Sequence, residues 1–196
     1  LFAMIEEKLP GKIVTIHNQE SKDEADYFKN RSGEMLRLFE EVKINDFVIN
    51  NSNSLLHAYE RIKNAEKIIL VHNTFTNEES ISNTNTEKTF WCLCPNANLY
   101  ITETLPPVEL FRKMNCKIVI GTDSLASNNQ LNLLKELSAI AAAHPQIPLS
   151  EMLQWITING AEALGITEWF GSFEKGKKPG MVNFLLQEIA ENISMA

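Results

Sequence analysis

Four short apolar runs punctuate the chain, and none shows the alternation of polar and apolar residues expected of a half-exposed strand. Unbroken runs of this length are typical of strands buried on both faces, as parallel strands in α/β proteins are. Polar residues end or follow each run. The runs lie at residues 12–17, 67–72, 90–95 and 117–123.

Helical patterns separate these runs, with apolar side chains repeating at three- and four-residue spacing. Asn53 or Ser54 is suited to cap the second helix and Ser150 a later one, because their side chains accept hydrogen bonds from first-turn N–H groups. Strands alternating with helices indicate βαβ units, so we predict an α/β fold with a parallel sheet. The predicted helices cover 34–42, 55–63, 107–114, 131–143, 148–158 and 161–164.

The chain changes character near its end. Residues 171–180 are rich in glycine, lysine and proline, which favours turns, and residues 181–187 form an apolar run. We therefore predict one domain over residues 1–170, then a linker and a strand leaving the main sheet within 171–196.

Composition narrows the classes of function. The chain has 196 residues, of which 44% are hydrophobic and 22% charged, as in ordinary globular proteins. Its apolar runs fall far short of the roughly 20 residues that span a bilayer, and its net charge of −7 disfavours nucleic acid and anionic lipid. Three cysteines in or beside apolar runs predict buried, reduced thiols in a cytoplasmic protein.

Candidate chemistry lies at the ends of the predicted strands. His17, followed by Glu20, ends the first strand, His72 the second and Asp123 the fourth. Parallel α/β proteins bind ligands at the carboxyl ends of strands, where successive strand ends converge. Imidazole and carboxylate are ligands of catalytic Zn²⁺ or Fe²⁺. One such histidine is more commonly a loop residue, so the hypothesis depends on the whole set.

The remaining histidines and the tryptophans favour structural roles. His57 lies inside a helical pattern and His144 precedes a proline at a helix end. Trp91, Trp155 and Trp169 are predicted to pack in or around the core.

Five segments, taken in order, resemble the C-terminal half of the amidohydrolase superfamily, in the branch of chlorohydrolases and aromatic-base or nucleoside deaminases. A glycine- and lysine-rich return at residues 176–180 follows them. The segments are His17-Asn18-Gln19-Glu20, Val71-His72-Asn73, Cys94-Pro95-Asn96-Ala97-Asn98-Leu99, Gly121-Thr122-Asp123-Ser124 continuing to Asn129, and Thr157-Ile158-Asn159-Gly160-Ala161 continuing to Gly165.

The resemblance implies a partial (β/α) barrel, strands five to eight with their helices, and a short stub of an accessory β-sandwich. It implies that His17 and Asp123 bind one divalent metal, Zn²⁺ or Fe²⁺, and that Asp123 also takes a proton from the attacking water. His72 then orients the water or polarises the substrate, and Glu20 protonates a ring nitrogen and passes the proton to the departing amine. Glu20, His72, Asn96 and Asn98 are the implied contacts to a small-molecule substrate.

The chain also departs from the family pattern. The family's first two metal ligands form a His-x-His pair, and this sequence contains none. A complete barrel takes about 250 residues. We therefore predict that the chain alone is inactive, and that it forms a homo-oligomer or pairs with the missing half. Leu93 stands where the family often has histidine, and Ala97 where serine is common.

Other interpretations stay open. The same site could hydrolyse an amide or a carbon–halogen bond, or the chain could be a noncatalytic remnant serving as a binding or assembly partner. Residues 21–33, rich in charged groups, are compatible with a lid over the site or with a solvated helix.

Overall fold

The sheet has four parallel strands, each paired with its neighbour in sequence. The computed structural model describes residues 2–44 and 53–184, apart from the side chains of residues 2 and 3. The order is β1-β2-β3-β4, which confirms the predicted parallel sheet and brings the carboxyl ends of the strands to one edge. The strands are β1 (Ile13–Asn18), β2 (Lys67–His72), β3 (Thr89–Leu93) and β4 (Lys117–Ile120).

The predicted helices are present, together with short ones that the pattern did not indicate. Asn53 caps α4 by accepting a hydrogen bond from the Leu56 N–H at 3.2 Å. The predicted Ser150 cap is wrong, since α9 begins at Leu149 after Pro148. The helices are α1 (Phe2–Glu6), α2 (Lys22–Asn30), α3 (Glu34–Glu41), α4 (Ser54–Ile62), α5 (Glu78–Ser82), α6 (Pro95–Thr102), α7 (Val108–Lys113), α8 (Leu133–Ala143), α9 (Leu149–Trp155) and α10 (Ile158–Ala163).

The main core lies between one face of the sheet and the helices. Trp91 of β3 is fully buried, with its ring centroid 4.9 Å from that of Phe111 on α7. Trp155 is also buried in this core, whereas Trp169 is half-exposed. The central strands are buried on both faces as predicted. Strand residues in this core include Ile68, Leu70, Leu93, Ile118 and Ile120.

Strand β1 differs from the prediction. Ile13, Thr15 and His17 are exposed, while Val14 and Ile16 between them are partly buried. The pattern is therefore that of a half-exposed strand, because no described segment covers the second face of the sheet at β1. Within the described sheet, β1 and β4 each pair along one side only, so both are edge strands.

The predicted strand after residue 180 is wrong over its described part. Residues 181–184 adopt no regular structure, and Met181 and Val182 are largely exposed. Within the described part of the chain, no neighbouring strand lies beside residues 181–184 to accept their backbone hydrogen bonds, so this apolar run does not form a strand. Residues 185–187 lie outside the described part of the chain. Residues 171–180 form turns and irregular backbone, as predicted.

Within the described ranges, no helix is both long enough and apolar enough to cross a membrane.

Gly171 allows the chain to pass close to α10. Its φ is +91°, and a Cβ there would lie 2.8 Å from Ala161 Cβ and 3.0 Å from Ile158 Cα. We expect Gly171→Ala to lower the unfolding free energy by about 2–4 kcal/mol, from backbone strain plus overlap. Gly176→Ala is the matched control, because its φ is +99° and nothing lies within 4 Å. Equal losses in urea unfolding would contradict the predicted overlap.

Buried His57 makes stability depend on pH. It lies on α4 with its ring centroid 5.5 Å from that of Phe28. Burial, with a smaller contribution from Arg61, lowers the pKa of His57. The unfolded chain therefore takes up this proton first, and stability present above about pH 6.5 is lost as pH falls towards the folded pKa. The decrease in unfolding free energy between pH 7.5 and 5.5, measured by urea unfolding, should be smaller in His57→Gln than in wild type. An equal decrease in both proteins would contradict this role of His57.

Candidate metal centre

Three strand ends bring two imidazoles and a carboxylate together. His17 is the next-to-last residue of β1, His72 ends β2 and Asp123 follows β4 by three residues. Each side chain offers one ligand atom, and these atoms lie within 4.8 Å of one another. The two imidazole centroids are 5.1 Å apart. The structure therefore brings together three of the residues predicted from the sequence.

Unusual backbone geometry marks the same strand ends. His72, Asn73 and Asp123 have φ values of 71°, 58° and 56°. Non-glycine residues adopt this left-handed region rarely, at a cost of order 1–3 kcal/mol each, and such residues cluster at functional sites. The folded chain holds these turns in place although they cost stability.

A pair of asparagines ties the ends of β1 and β2 together. The Asn18 amide donates to Asn73 Oδ1 at 3.0 Å, and the Asn73 backbone N–H donates to Asn18 O at 3.2 Å. The Asn73 amide also donates to Leu70 O at 2.7 Å. Both asparagines are buried and each directly follows a candidate histidine. They therefore fix the spacing of the two imidazoles, a role that the sequence analysis missed.

Glu20 faces the site from the loop after β1. Its Oε1 lies 3.5 Å from His72 Nε2, and its side chain is 31% exposed. The carboxylate of Glu24 accepts from the backbone N–H groups of Gln19 at 2.8 Å and Glu20 at 3.1 Å. Ser21 caps α2 by accepting from the Glu24 N–H. Residues 22–30 are thus a capped helix that holds the Glu20 segment, and closure of this segment as a lid stays a prediction.

Asn98 lies behind His72. Its amide nitrogen is 3.2 Å from His72 Nδ1 and 2.7 Å from Thr74 Oγ1, and the residue has no exposed surface. The donor and acceptor roles in this contact depend on the His72 tautomer, and in either case the amide side chain of Asn98 holds the imidazole ring in its orientation. This location suits a residue that orients the imidazole better than the direct substrate contact predicted for Asn98.

Asn96 lies farther from the cluster, in the first turn of α6. Its side-chain amide donates to Lys135 O at 3.2 Å. With Tyr100 and residues 125–130 it lines a cavity of about 220 Å³. Its predicted contact with substrate stays a prediction.

The electrostatics favour cation-binding forms of these groups. Burial lowers the pKa of His72, although Glu20 opposes the shift. Burial alone would raise the pKa of Asp123, but a hydrogen bond from the Ser127 hydroxyl at 2.5 Å and the nearby imidazoles lower it. At neutral pH the carboxylate is ionised and the imidazole neutral.

The residues present fit a divalent metal ion. His72 Nε2 is buried and has no hydrogen-bond partner in the described structure. The donor set of imidazole nitrogen and carboxylate oxygen suits Zn²⁺ or Fe²⁺. A cation held by His17 and Asp123, with a water molecule on it that contacts His72 Nε2, would satisfy the polar atoms that converge here.

The other histidines and the cysteines lie outside the cluster. His57 is buried on α4 and His144 directly follows α8, in line with the structural or solvated role predicted for both. The three cysteines are free thiols, with Cys94 buried and Cys92 and Cys116 half-buried. Burial raises the pKa of Cys116 to about 11, so this thiol stays protonated at neutral pH.

Comparisons with known proteins place the chain in a family. It is 27% identical over 187 residues to aminodeoxyfutalosine deaminase of Nitratiruptor sp., covering 93% of this chain and 44% of that protein. Helicobacter pylori aminofutalosine deaminase in complex with methylthio-coformycin superposes with a TM-score of 0.73 at 20% identity, covering 99% of this chain and 48% of that one. An adenosine deaminase from Xanthomonas campestris with bound zinc gives a TM-score of 0.65 at 24% identity, covering 89% and 37%.

The chain thus spans between 37% and 48% of the length of these relatives. The structural likenesses support the α/β fold with a parallel sheet, and the family profile covers nearly all of the sequence. The amidohydrolase family profile matches residues 3–194, which confirms the resemblance carried by the sequence motifs, and the chain belongs to this family.

Proposed function

We propose that this chain forms part of a metal-dependent hydrolytic deaminase that removes an amino group from a heterocycle or nucleoside. The observation that carries the proposal is the convergence of His17, His72 and Asp123, whose ligand atoms lie within 4.8 Å of one another. Relatives named as deaminases of aminodeoxyfutalosine and adenosine support the substrate class.

His17 and Asp123 are the residues that would hold the metal. When bound, a divalent ion lowers the pKa of a water molecule from far above neutral towards about 7 and so supplies a nucleophile at neutral pH. His72 Nε2 lies 3.5 Å from Glu20 Oε1, and we propose that it carries the proton of the neutral imidazole. It would therefore orient the water or the substrate by donating a hydrogen bond.

Two carboxylates divide the proton transfers. Asp123, kept ionised by its surroundings, accepts a proton from the attacking water as the oxygen bonds to the ring carbon. Glu20, in its protonated form, donates its proton to a ring nitrogen and then relays to the amine the proton that Asp123 took from water. The carbon–nitrogen bond breaks and ammonia leaves, while the hydroxyl on the ring carbon gives its proton to Glu20 and becomes a carbonyl oxygen.

The proposed site needs groups from beyond this chain. Catalytic metal sites keep three or more protein ligands, and we assign two here. We propose that residues 1–170 supply strands five to eight of an eight-stranded barrel, and that residues 171–196 lead into an accessory sandwich. The exposed Ile13 and Thr15 support this, since they would face the interior of a closed barrel. The missing half or a second copy would cover them, and the chain alone would be inactive.

Ammonia release tests the activity. The longest product of the reading frame that contains this chain is assayed with aminated purines, pterins and nucleosides, and its metal content is measured. We expect ammonia from at least one aminated ring and about one equivalent of Zn²⁺ or Fe²⁺. Hydrolysis of only amide or chlorinated analogues would instead support the alternative chemistry, and a metal-free product without activity would support the noncatalytic remnant.

A further inference from the structure

Helix α8 carries a buried carboxylate that the proposed chemistry does not use. Glu136 has no exposed surface, although its neighbours in the helix are mostly apolar. Among the described residues, the ion pairs of lysine, arginine and histidine all go to other carboxylates. Burying a carboxylate without a cation is costly unless hydrogen bonds satisfy it. The buried carboxylate of Glu136 is therefore stabilised by the groups that donate hydrogen bonds to it.

The two oxygens of Glu136 bind two different segments. Oε2 accepts from the backbone N–H of Asn96 at 2.9 Å, in the first turn of α6. Oε1 accepts from the Asn128 side-chain amide at 2.7 Å, and the same amide donates to Thr122 O at 2.7 Å. The amino end of α6 also favours a nearby negative charge.

Both segments lead to the candidate metal centre. Thr122 directly precedes Asp123, whose carboxylate is also held by Ser127. Helix α6 carries Asn98, two residues beyond Asn96, and the Asn98 amide contacts His72 Nδ1. One buried carboxylate therefore connects the backbone beside Asp123 with the helix that orients His72.

We propose that Glu136 is a positioning residue that sets the location of Asp123 relative to His72. It touches neither group and acts through Asn128 and α6. The link to metal affinity rests on the proposed function, whereas the link to the geometry of the strand ends does not. Groups behind metal ligands commonly change metal affinity by about 10–100-fold when removed.

Metal-free nuclear magnetic resonance tests the geometric part. Glu136→Ala in the metal-free longest product of the reading frame that contains this chain should shift the backbone amide resonances of residues 122–127 and the ring nitrogen resonances of His72. Leu137→Ala is the matched control, because Leu137 is equally buried on the same helix but packs in the main core. It should lower stability without moving those resonances. Equal shifts in both variants, or none in Glu136→Ala, would overturn the proposal.

Co²⁺ titration of the longest product of the reading frame that contains this chain, followed by visible absorption, tests the link to the metal. Relative to wild type, Glu136→Ala should weaken Co²⁺ binding by about 10–100-fold, whereas Leu137→Ala should not weaken it. Unchanged Co²⁺ affinity in Glu136→Ala would overturn this link. If wild type itself binds no Co²⁺, the proposed metal centre is contradicted, while the resonance comparison still decides the role of Glu136.

Glu136→Gln keeps the size of the side chain if the alanine variant does not fold. Glutamine offers one acceptor oxygen for two donors, so shifts and affinity loss should be intermediate. Asn128→Asp alone places two carboxylates face to face and should disturb the loop most. The double variant Glu136→Gln/Asn128→Asp restores a donor–acceptor pair, so it should recover part of the Co²⁺ affinity that Asn128→Asp loses. A double variant with the same Co²⁺ affinity as Asn128→Asp would contradict the contact between the two side chains.

Discussion

Alanine in place of His17 or Asp123 should abolish stoichiometric metal binding and lower deaminase activity by about 1,000-fold or more. Polarisation by a bound metal is worth several kcal/mol, and each 1.36 kcal/mol corresponds to a factor of ten in rate. Both residues contribute one of the ligand atoms that converge within 4.8 Å. Metal analysis and ammonia release are measured on the same preparation of the longest product that contains this chain.

His144→Ala is the control for this experiment. His144 directly follows α8 with its side chain 21% exposed, outside the metal-capable cluster. It should retain wild-type metal content and activity. If His17→Ala or Asp123→Ala kept both the metal and the activity, the assignment of these two ligands would be wrong.

The strands could be predicted closely because their signal is local. Runs such as 67–72 are β-branched and apolar without interruption, and the structure buries the corresponding strand on both faces over most of its length. The apolar pattern does not predict helix α6, which begins with Pro95 and contains two asparagines, although proline is favoured in a first helical turn. Short polar helices such as α2 and α5 lack the apolar periodicity that the prediction needs.

The members of the candidate site could be predicted, but their supports could not. Each proposed ligand ends or follows a strand, so the topology alone brings these residues together. The Asn18–Asn73 pair and the contacts of Glu136 join residues far apart in sequence, and no spacing reveals such hydrogen bonds. Glu136 also interrupts an apolar helix face, a local signal that indicates a buried partner. The substrate, the metal's identity, the oligomeric state and the cytoplasmic location stay predictions.

Glu20→Gln should separate proton transfer from metal binding. Glutamine keeps the shape of the side chain but cannot donate and recover a proton, and loss of a general acid–base group costs about 10²–10⁴ in rate. Glu20 Oε1 lies 3.5 Å from His72 Nε2 and belongs to no described metal-capable cluster. We therefore expect kcat to fall by this factor while metal content stays at the wild-type value.

Asp23→Asn provides the matched control, since Asp23 is exposed in the first turn of the same α2 segment. It removes one carboxylate nearby without touching the site, so its kcat should equal that of wild type. A parallel loss of metal and activity in Glu20→Gln would mean that Glu20 binds or supports the metal. Unchanged kcat would mean that another group delivers the proton to the leaving amine. His72, which lies beside Glu20, would be the first such group to test.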